Sequence, residues 1–204
     1  MPRRKNQYEL RLLEQIEDYE DPYDMLELGC YYYGKRKYAQ AQEWYGRAAE
    51  EDLEWALNNL GYCYYYGRAG EKDFEKAFNC YMRAASMGNA QSMYKVGDLF
   101  WNGYYVFKDY KTAFLWYENS YRTMAEKGEE RHEGFGDVCF RLGRCYYHGK
   151  GVEKDYYSAL KYLSRAEYVL LAKADREKDR FAKIVLPNVT KLLNKVRQGL
   201  GLMG

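Results

Sequence analysis

The sequence predicts an all-α fold, a right-handed α-solenoid of stacked antiparallel helix hairpins with about ten helices. Three observations predict it. The stretch Cys139 to Ala166, CFRLGRCYYHGKGVEKDYYSALKYLSRA, is one copy of a repeat. Its Leu142-Gly143, Tyr146, Gly149, Asp155 and Ala159 recur as Leu60-Gly61, Tyr64, Gly67, Asp73 and Ala77, and as Val96-Gly97, Phe100, Gly103, Asp109 and Ala113. A shortened copy comes first, with Leu28-Gly29, Tyr32, Gly34 and Ala41. The anchor glycines Gly29, Gly61, Gly97 and Gly143 lie 32, 36 and 46 residues apart, the period of a helical-hairpin array. Finally, each copy carries its own punctuation, a glycine closing the first helix and, in three copies, an aspartate opening the second.

Taken in order, Tyr8 to Asp18 places Leu12, Leu13 and Ile16 at helical spacing, which predicts a cap helix within residues 1–20. Asp21-Pro22 then supplies an N-cap and a first-turn proline, with Asp24 facing the helix dipole, so a helix should run from there to about Tyr33. Four repeats follow over 22–53, 54–89, 90–127 and 137–170, and capping helices occupy 171–204, all read as one domain, 1–204. Gly34, Gly67, Gly103 and Gly149 are each expected to take the left-handed conformation after the first helix. Asp73, Asp109 and Asp155 should cap the second helix, in which Ala41, Ala77, Ala113 and Ala159 form a small-residue stripe for close packing. The polar interval Thr123 to Asp137 is either a lengthened pair of helix ends or a loop. Beyond Ala166 a charged helix should reach about Val185, where Pro187-Asn188 is expected to interrupt it. Val189, Leu192, Leu193 and Val196 form a last amphipathic stripe.

These residues resemble the Sel1-like repeat, a relative of the tetratricopeptide repeat with the pattern A-x-x-x-L-G-x-x-Y-x-x-G-x-G-V, a short gap, then D-x-x-x-A-x-x-W-Y-x-x-A-A. The fourth copy keeps Gly149, Gly151, Val152 and Asp155. The second has Ala56, Leu60, Gly61, Tyr64, Gly67, Asp73, Ala77, Tyr81, Ala84 and Ala85. Trp44, Tyr45, Ala48 and Ala49 match the end of the unit in the first copy, as Trp116 and Tyr117 do in the third. The first copy lacks four loop residues and the glycine-valine pair, the third carries Tyr105-Val106 instead, and ten extra residues precede the fourth anchor. The resemblance covers roughly residues 22–169 and implies a scaffold for binding a peptide or protein.

Composition narrows the classes. Tyrosine is the outlier, 25 of 204 residues. No segment approaches the roughly 18 uncharged apolar residues of a membrane helix, so no membrane partner and a cytoplasmic location are expected. Five cysteines, Cys30, Cys63, Cys80, Cys139 and Cys145, without CxxC pairs, are read as reduced, small buried residues. The net charge is +2, but residues 1–60 hold 8 Lys/Arg against 13 Asp/Glu and residues 170–204 hold 8 against 3. Opposite ends of an array could therefore associate head to tail, weakly given screening over about 8 Å at physiological salt. A near-neutral chain with an acidic first third disfavours nucleic acid.

Chemical motifs are sparse. The two histidines, His132 and His148, lack metal-ligand spacing, and Gly149 to Val152 lacks the strand and GK[ST] start of a phosphate loop, so neither metal nor cofactor is expected. Ser92-Met-Tyr-Lys95 matches S-x-x-K, and a penicillin-recognising hydrolase on the same scaffold is the alternative function. Ser92 nevertheless falls where the repeat wants a small core residue, so the chain is read as no enzyme.

The candidate site follows from helical geometry. With each anchor glycine as origin, 100° per residue puts positions −5, −1 and +3 on the core face, Ala56, Leu60 and Tyr64 in the second repeat. Positions −3, +1 and +4 point away: Leu26, Cys30, Tyr33; Asn58, Tyr62, Tyr65; Tyr94, Asp98, Trp101; Phe140, Arg144, Tyr147. In the tetratricopeptide superfamily that face lines the concave groove, so these residues are the expected partner-binding surface, rimmed by Asn58, Asp98 and Arg144. The alternative is that neighbouring first helices bury these rings against one another.

Overall fold

The computed structural model describes residues 7–128, 133–176 and 180–202. Within them lie ten helices and no strand. These are α1 Gln7–Tyr19, α2 Pro22–Gly34, α3 Tyr38–Glu50, α4 Glu54–Tyr66, α5 Phe74–Ser86, α6 Ala90–Asn102, α7 Tyr110–Glu126, α8 Glu133–His148, α9 Tyr156–Arg176 and α10 Arg180–Gly199. No helix among the described residues is long and apolar enough to cross a membrane. The fold class is the expected one, an all-α solenoid of helical hairpins. The chain divides into two compact units, Met1–Ser92 and Met93–Gly204.

In the first unit, α2 pairs with α3, α4 with α5, and α3 packs on α4. Asp21 caps α2 by accepting from the Tyr23 N–H at 2.8 Å, with Pro22 at the first helical position. The core is continuous through the hairpins: Leu12, Leu28, Ala41, Ala48, Ala56, Leu57 and Ala84 are all buried. The cap helix α1 adds Leu12 and Ile16 to this core. Its buried Glu9 accepts hydrogen bonds from the Tyr32 hydroxyl at 2.7 Å and the Tyr31 hydroxyl at 3.4 Å, which fixes how α1 covers the first repeat.

In the second unit, α7 packs on α8, α8 on α9, and α10 on α9. The long interval resolves into lengthened helices. α7 has 17 residues and α8 has 16, against 13 in each of α2 to α5. The interval's middle, 129–132, lies outside the described residues, as does His132. Leu142, Leu163, Val189, Leu193 and Val196 are fully buried, and Thr190 donates to Glu167 at 2.8 Å, so α10 closes the unit as a cap.

The local punctuation follows the expected chemistry with two corrections. Asp73 accepts from the Lys76 N–H, Asp109 from those of Lys111 and Thr112, and Asp155 from that of Tyr157. The carboxyls are held below their usual range, Asp73 chiefly by its backbone bond, Asp109 chiefly by the Thr112 hydroxyl and Asp155 chiefly by the Ser158 hydroxyl, with the backbone bonds adding to these. Gly67, Gly103 and Gly149 are left-handed with φ of 62°, 72° and 64°. Gly34 is not. It ends α2, and Arg36 takes φ 59° instead, because the shortened loop turns through the Arg36 N–H to Tyr33 carbonyl bond two residues later. Tyr105 adopts φ 65° where the fourth copy has Gly151 at 79°, so the loop backbone is kept although a side chain there costs about 1–2 kcal/mol.

Pro187 is the second correction: it sits inside α10 and does not interrupt it. Burying Val189, Leu193 and Val196 outweighs the roughly 3 kcal/mol cost of an interior proline.

The four anchor glycines share one role. A Cβ built on Gly29 would lie 2.6 Å from the Tyr45 ring, on Gly61 2.8 Å from Tyr81, on Gly97 2.5 Å from Tyr117 and on Gly143 2.6 Å from the Leu163 Cγ. Each hairpin therefore closes by laying a ring, or in the fourth copy a leucine, directly on the glycine of its first helix. Tyr81 and Tyr117 are fully buried there.

Candidate functional site

In the first unit, α2 and α4 present Tyr33, Asn58 and Tyr62 to an open cavity of about 250 Å³, whose lining also includes Tyr45, Asn59 and Gln91. The periodicity explains the convergence, since Asn58 and Tyr62 are one turn apart on α4. Tyr33 and Tyr62 meet edge to face at 6.1 Å. Asn58 is buried and its Oδ1 accepts from the Ser92 hydroxyl at 3.0 Å. Its Nδ2 makes only long contacts, 3.4 Å to Asn59 Oδ1 and 3.5 Å to Gln91 Oε1. Good amide hydrogen bonds centre near 2.9–3.0 Å, so this amide gains by swinging to a closer acceptor.

Arg68, which the periodicity did not single out, packs on Tyr62, one of the lining rings. Its guanidinium lies 5.4 Å from the rings of both Tyr62 and Tyr66, its Nη2 donates to the Tyr62 hydroxyl at 3.1 Å, and its Nε is buried without a hydrogen-bond partner. Tyr65 lies apart from the cavity lining, packed on Tyr66, Phe74 and Tyr81 at 4.8, 5.5 and 6.4 Å.

Cys30 borders this cavity: its Sγ accepts from the Tyr45 hydroxyl at 3.6 Å and from Asn59 Nδ2 at 3.8 Å. The five cysteines are free as expected, but Cys80 is only half-buried and Cys30 is exposed, because +1 from Gly29 turns it off the core face. Burial pushes the Cys63 and Cys80 thiols up to about 11 and that of Cys145 to about 12. Brief treatment with a maleimide at pH 7.5 should therefore label one thiol per chain, Cys30, as read by peptide mass spectrometry; rapid labelling of Cys63 or Cys145 would contradict this packing.

In the second unit the same helical positions divide between structure and surface. Tyr94 is buried beneath Arg141, whose guanidinium lies 4.7 Å from its ring. Asp98 is also buried. Arg141 grips it through Nε and Nη2, both at 2.6 Å, and the Tyr117 hydroxyl adds a third bond at 3.0 Å. Burial pushes the Asp98 carboxyl up, but the Arg141 charge and hydrogen bonds outweigh it and hold the group below its usual range. Asp98 is thus a structural acid rather than part of a polar rim. Asp137, 3.6 Å from Arg141 Nη1, has the opposite balance, its burial raising it against the pull of Arg141 and Lys95.

Trp101, Phe140, Arg144 and Tyr147 remain partly exposed. Arg144 stacks at 4.0 Å over Trp101 and lies 5.9 Å from Phe140. Tyr147 sits between His148 at 4.8 Å and Tyr156 at 5.7 Å.

The S-x-x-K match at Ser92 and Lys95 is a buried pair of positions and presents no accessible nucleophile. Ser92 is fully buried and its hydroxyl is engaged with Asn58. No group of three or more His, Cys, Asp or Glu among the described residues is placed to hold a metal ion.

Helical hairpins, each closed by a glycine against a large side chain, define an α-solenoid repeat protein. The Sel1 repeat matches residues 22–53, 56–89, 90–122 and 136–167, well over half of the chain, and the chain belongs to the Sel1 repeat family. Its fold is similar to the crystal structure of a Sel1 repeat protein from Oxalobacter formigenes, with 26% identity and a TM-score of 0.61 over 80% of this chain and 68% of that one. It is also similar to c5321, a protective antigen present in uropathogenic Escherichia coli strains displaying an SLR fold, at 23% identity and TM-score 0.56, covering 96% of this chain. The chain spans about half the length of that antigen, 53%. No curated protein matches the sequence significantly.

Proposed function

We propose that the chain is a protein-interaction scaffold and that an extended segment of a partner docks on the outer faces of the first helices. The carrying observation is the cavity of the first unit, where three tyrosines and three carboxamides surround about 250 Å³ of open space. A carboxamide donates and accepts as a peptide group does, so Asn58, Asn59 and Gln91 match the hydrogen-bonding pattern of a polypeptide backbone. The rings of Tyr33 and Tyr62 offer rigid apolar surface at small entropic cost, the combination that concentrates binding energy at interfaces. Family membership supports the same reading: Sel1 repeats suggest interaction scaffolds. The alternative, that neighbouring first helices bury these rings against one another, fits Tyr94, buried beneath Arg141 of α8, whereas Tyr33 and Tyr62, though they touch edge to face, still line open space.

A photo-crosslinking amino acid placed at Tyr62 in the source cell should give discrete protein adducts, whereas the same group at Tyr23, 65% exposed on the same unit, should give none. Equal adducts at both positions, or none at Tyr62, would sink the proposal.

A further inference from the structure

The end of α8 in the second unit gathers cations beside aromatic rings, and although Glu153 and Asp155 lie in the loop that follows, neither is in an ion pair with them among the described residues. Arg144 stacks on Trp101, and its Nε is buried with no hydrogen-bond partner. Lys150 lies 4.6 Å from the Tyr110 ring and 5.6 Å from that of Trp101, its hydrogen bond going to the Tyr110 hydroxyl at 3.4 Å. Lys154 sits 4.6 Å from the ring of Tyr156. Lys195 approaches from α10, and all four act on His148, whose proton affinity falls through burial and then through their charges. None of the four forms an ion pair among the described residues. Arg141, one turn before Arg144, shows the contrast: its charge is met by Asp98 and Asp137.

Uncompensated like charges repel, and holding four together is costly unless an anion is shared among them. The rings decide which anion. Trp101 already has Arg144 against its face and Tyr110 against its edge at 4.8 Å, so it offers no open platform for a nucleobase. What remains available is N–H donors: the forked guanidinium and ammonium groups at the patch's edge, which suit carboxylates.

Accordingly, we infer that the partner segment docking on the second unit is acidic, with Asp or Glu side chains shared among Arg144, Lys150, Lys154 and Lys195. This rests on the scaffold reading but fails separately from it, since crosslinking at Tyr62 probes the other unit.

The test uses the full chain and a fluorescein-labelled, end-capped hexaglutamate peptide followed by anisotropy. Binding should weaken as salt rises, and Lys154→Glu with Lys195→Glu, both exposed positions, should weaken it at least about tenfold with the melting temperature unchanged. In an NMR titration, the peptide should raise the pKa of His148, the His132→Gln variant assigning the two imidazoles. The inference is overturned by equal binding to parent and double variant, by an unmoved His148, or by tighter binding of a uridine hexanucleotide that the same substitutions abolish. It is likewise overturned if size-exclusion shows the parent dimerising and the double variant monomeric, since the patch would then belong to a second copy of the chain.

Discussion

Gly97→Leu should lower stability by about 1 to 3 kcal/mol or more, and it is among the most damaging single changes the fold can suffer. Even the first carbon of a side chain at this position would lie 2.5 Å from the Tyr117 ring and 3.1 Å from the Ala113 backbone carbonyl. The ring cannot yield cheaply, because it is fully buried and its hydroxyl is bonded to Asp98. Helix propensity pulls the other way, since glycine inside a helix is worse than alanine or leucine by roughly 1 kcal/mol. Crowding wins. Gly46, inside α3 with nothing within 4 Å of a built Cβ, isolates the propensity term. Gly46→Ala should therefore stabilise by about 0.5 to 1 kcal/mol. Urea denaturation of the three proteins measures both signs, and a Gly97→Leu variant as stable as the parent would mean that the glycine is not held against Tyr117.

Arg141→Met should cost about 3 to 5 kcal/mol, because it strands two carboxylates that are already desolvated. The parent's Arg141 is bonded twice to Asp98 and lies within ion-pair distance of Asp137. Its removal leaves nearby Lys95 as the remaining cation acting on both acids. The pH dependence gives a sharper signature. Asp98 is depressed in the folded parent, so the stability it contributes is present above the unfolded carboxyl pKa near 3.9 and is lost as pH falls through the lower folded value. In the variant the same carboxyl has lost its main charge partner and burial raises it, so folding gains as it takes up a proton. The deficit of Arg141→Met relative to the parent should thus shrink as pH is lowered from 7 to 4. A deficit independent of pH would show that the loss is one of packing alone.

The fold was legible because its signals are local and repeated. Asp73, Asp109 and Asp155 announce their helices within three residues, and the anchor glycines return at hairpin spacing. The misread elements are those where a distant contact overrides a local rule. Pro187 reads as a helix breaker until the buried stripe of α10 is seen, and Gly34 reads as a left-handed cap until the shortened loop moves the turn to Arg36. The candidate site was half legible for the same reason. The 100° rule placed Tyr33, Asn58 and Tyr62 on one face, and the cavity includes all three. It could not show that Asn58 is held by a serine 34 residues away, or that Asp98 is taken by an arginine 43 residues away. Arg141 and Arg68 were missed altogether. Charge on an otherwise aromatic helix face was the one available signal for the first, and a loop arginine folding back over tyrosines leaves none.

The glycine-to-ring closure makes substitution a paired event. Three hairpins use tyrosine against the glycine and the fourth uses Leu163, so the gap accepts different fillings provided both sides suit each other. A residue that is harmful at Gly61 should become tolerable once Tyr81 is trimmed to an aliphatic side chain, and the trimmed ring alone should leave a void. Mutational tolerance in this protein is therefore written in couples across each hairpin, and single-site scans will overstate how rigid its sequence must be.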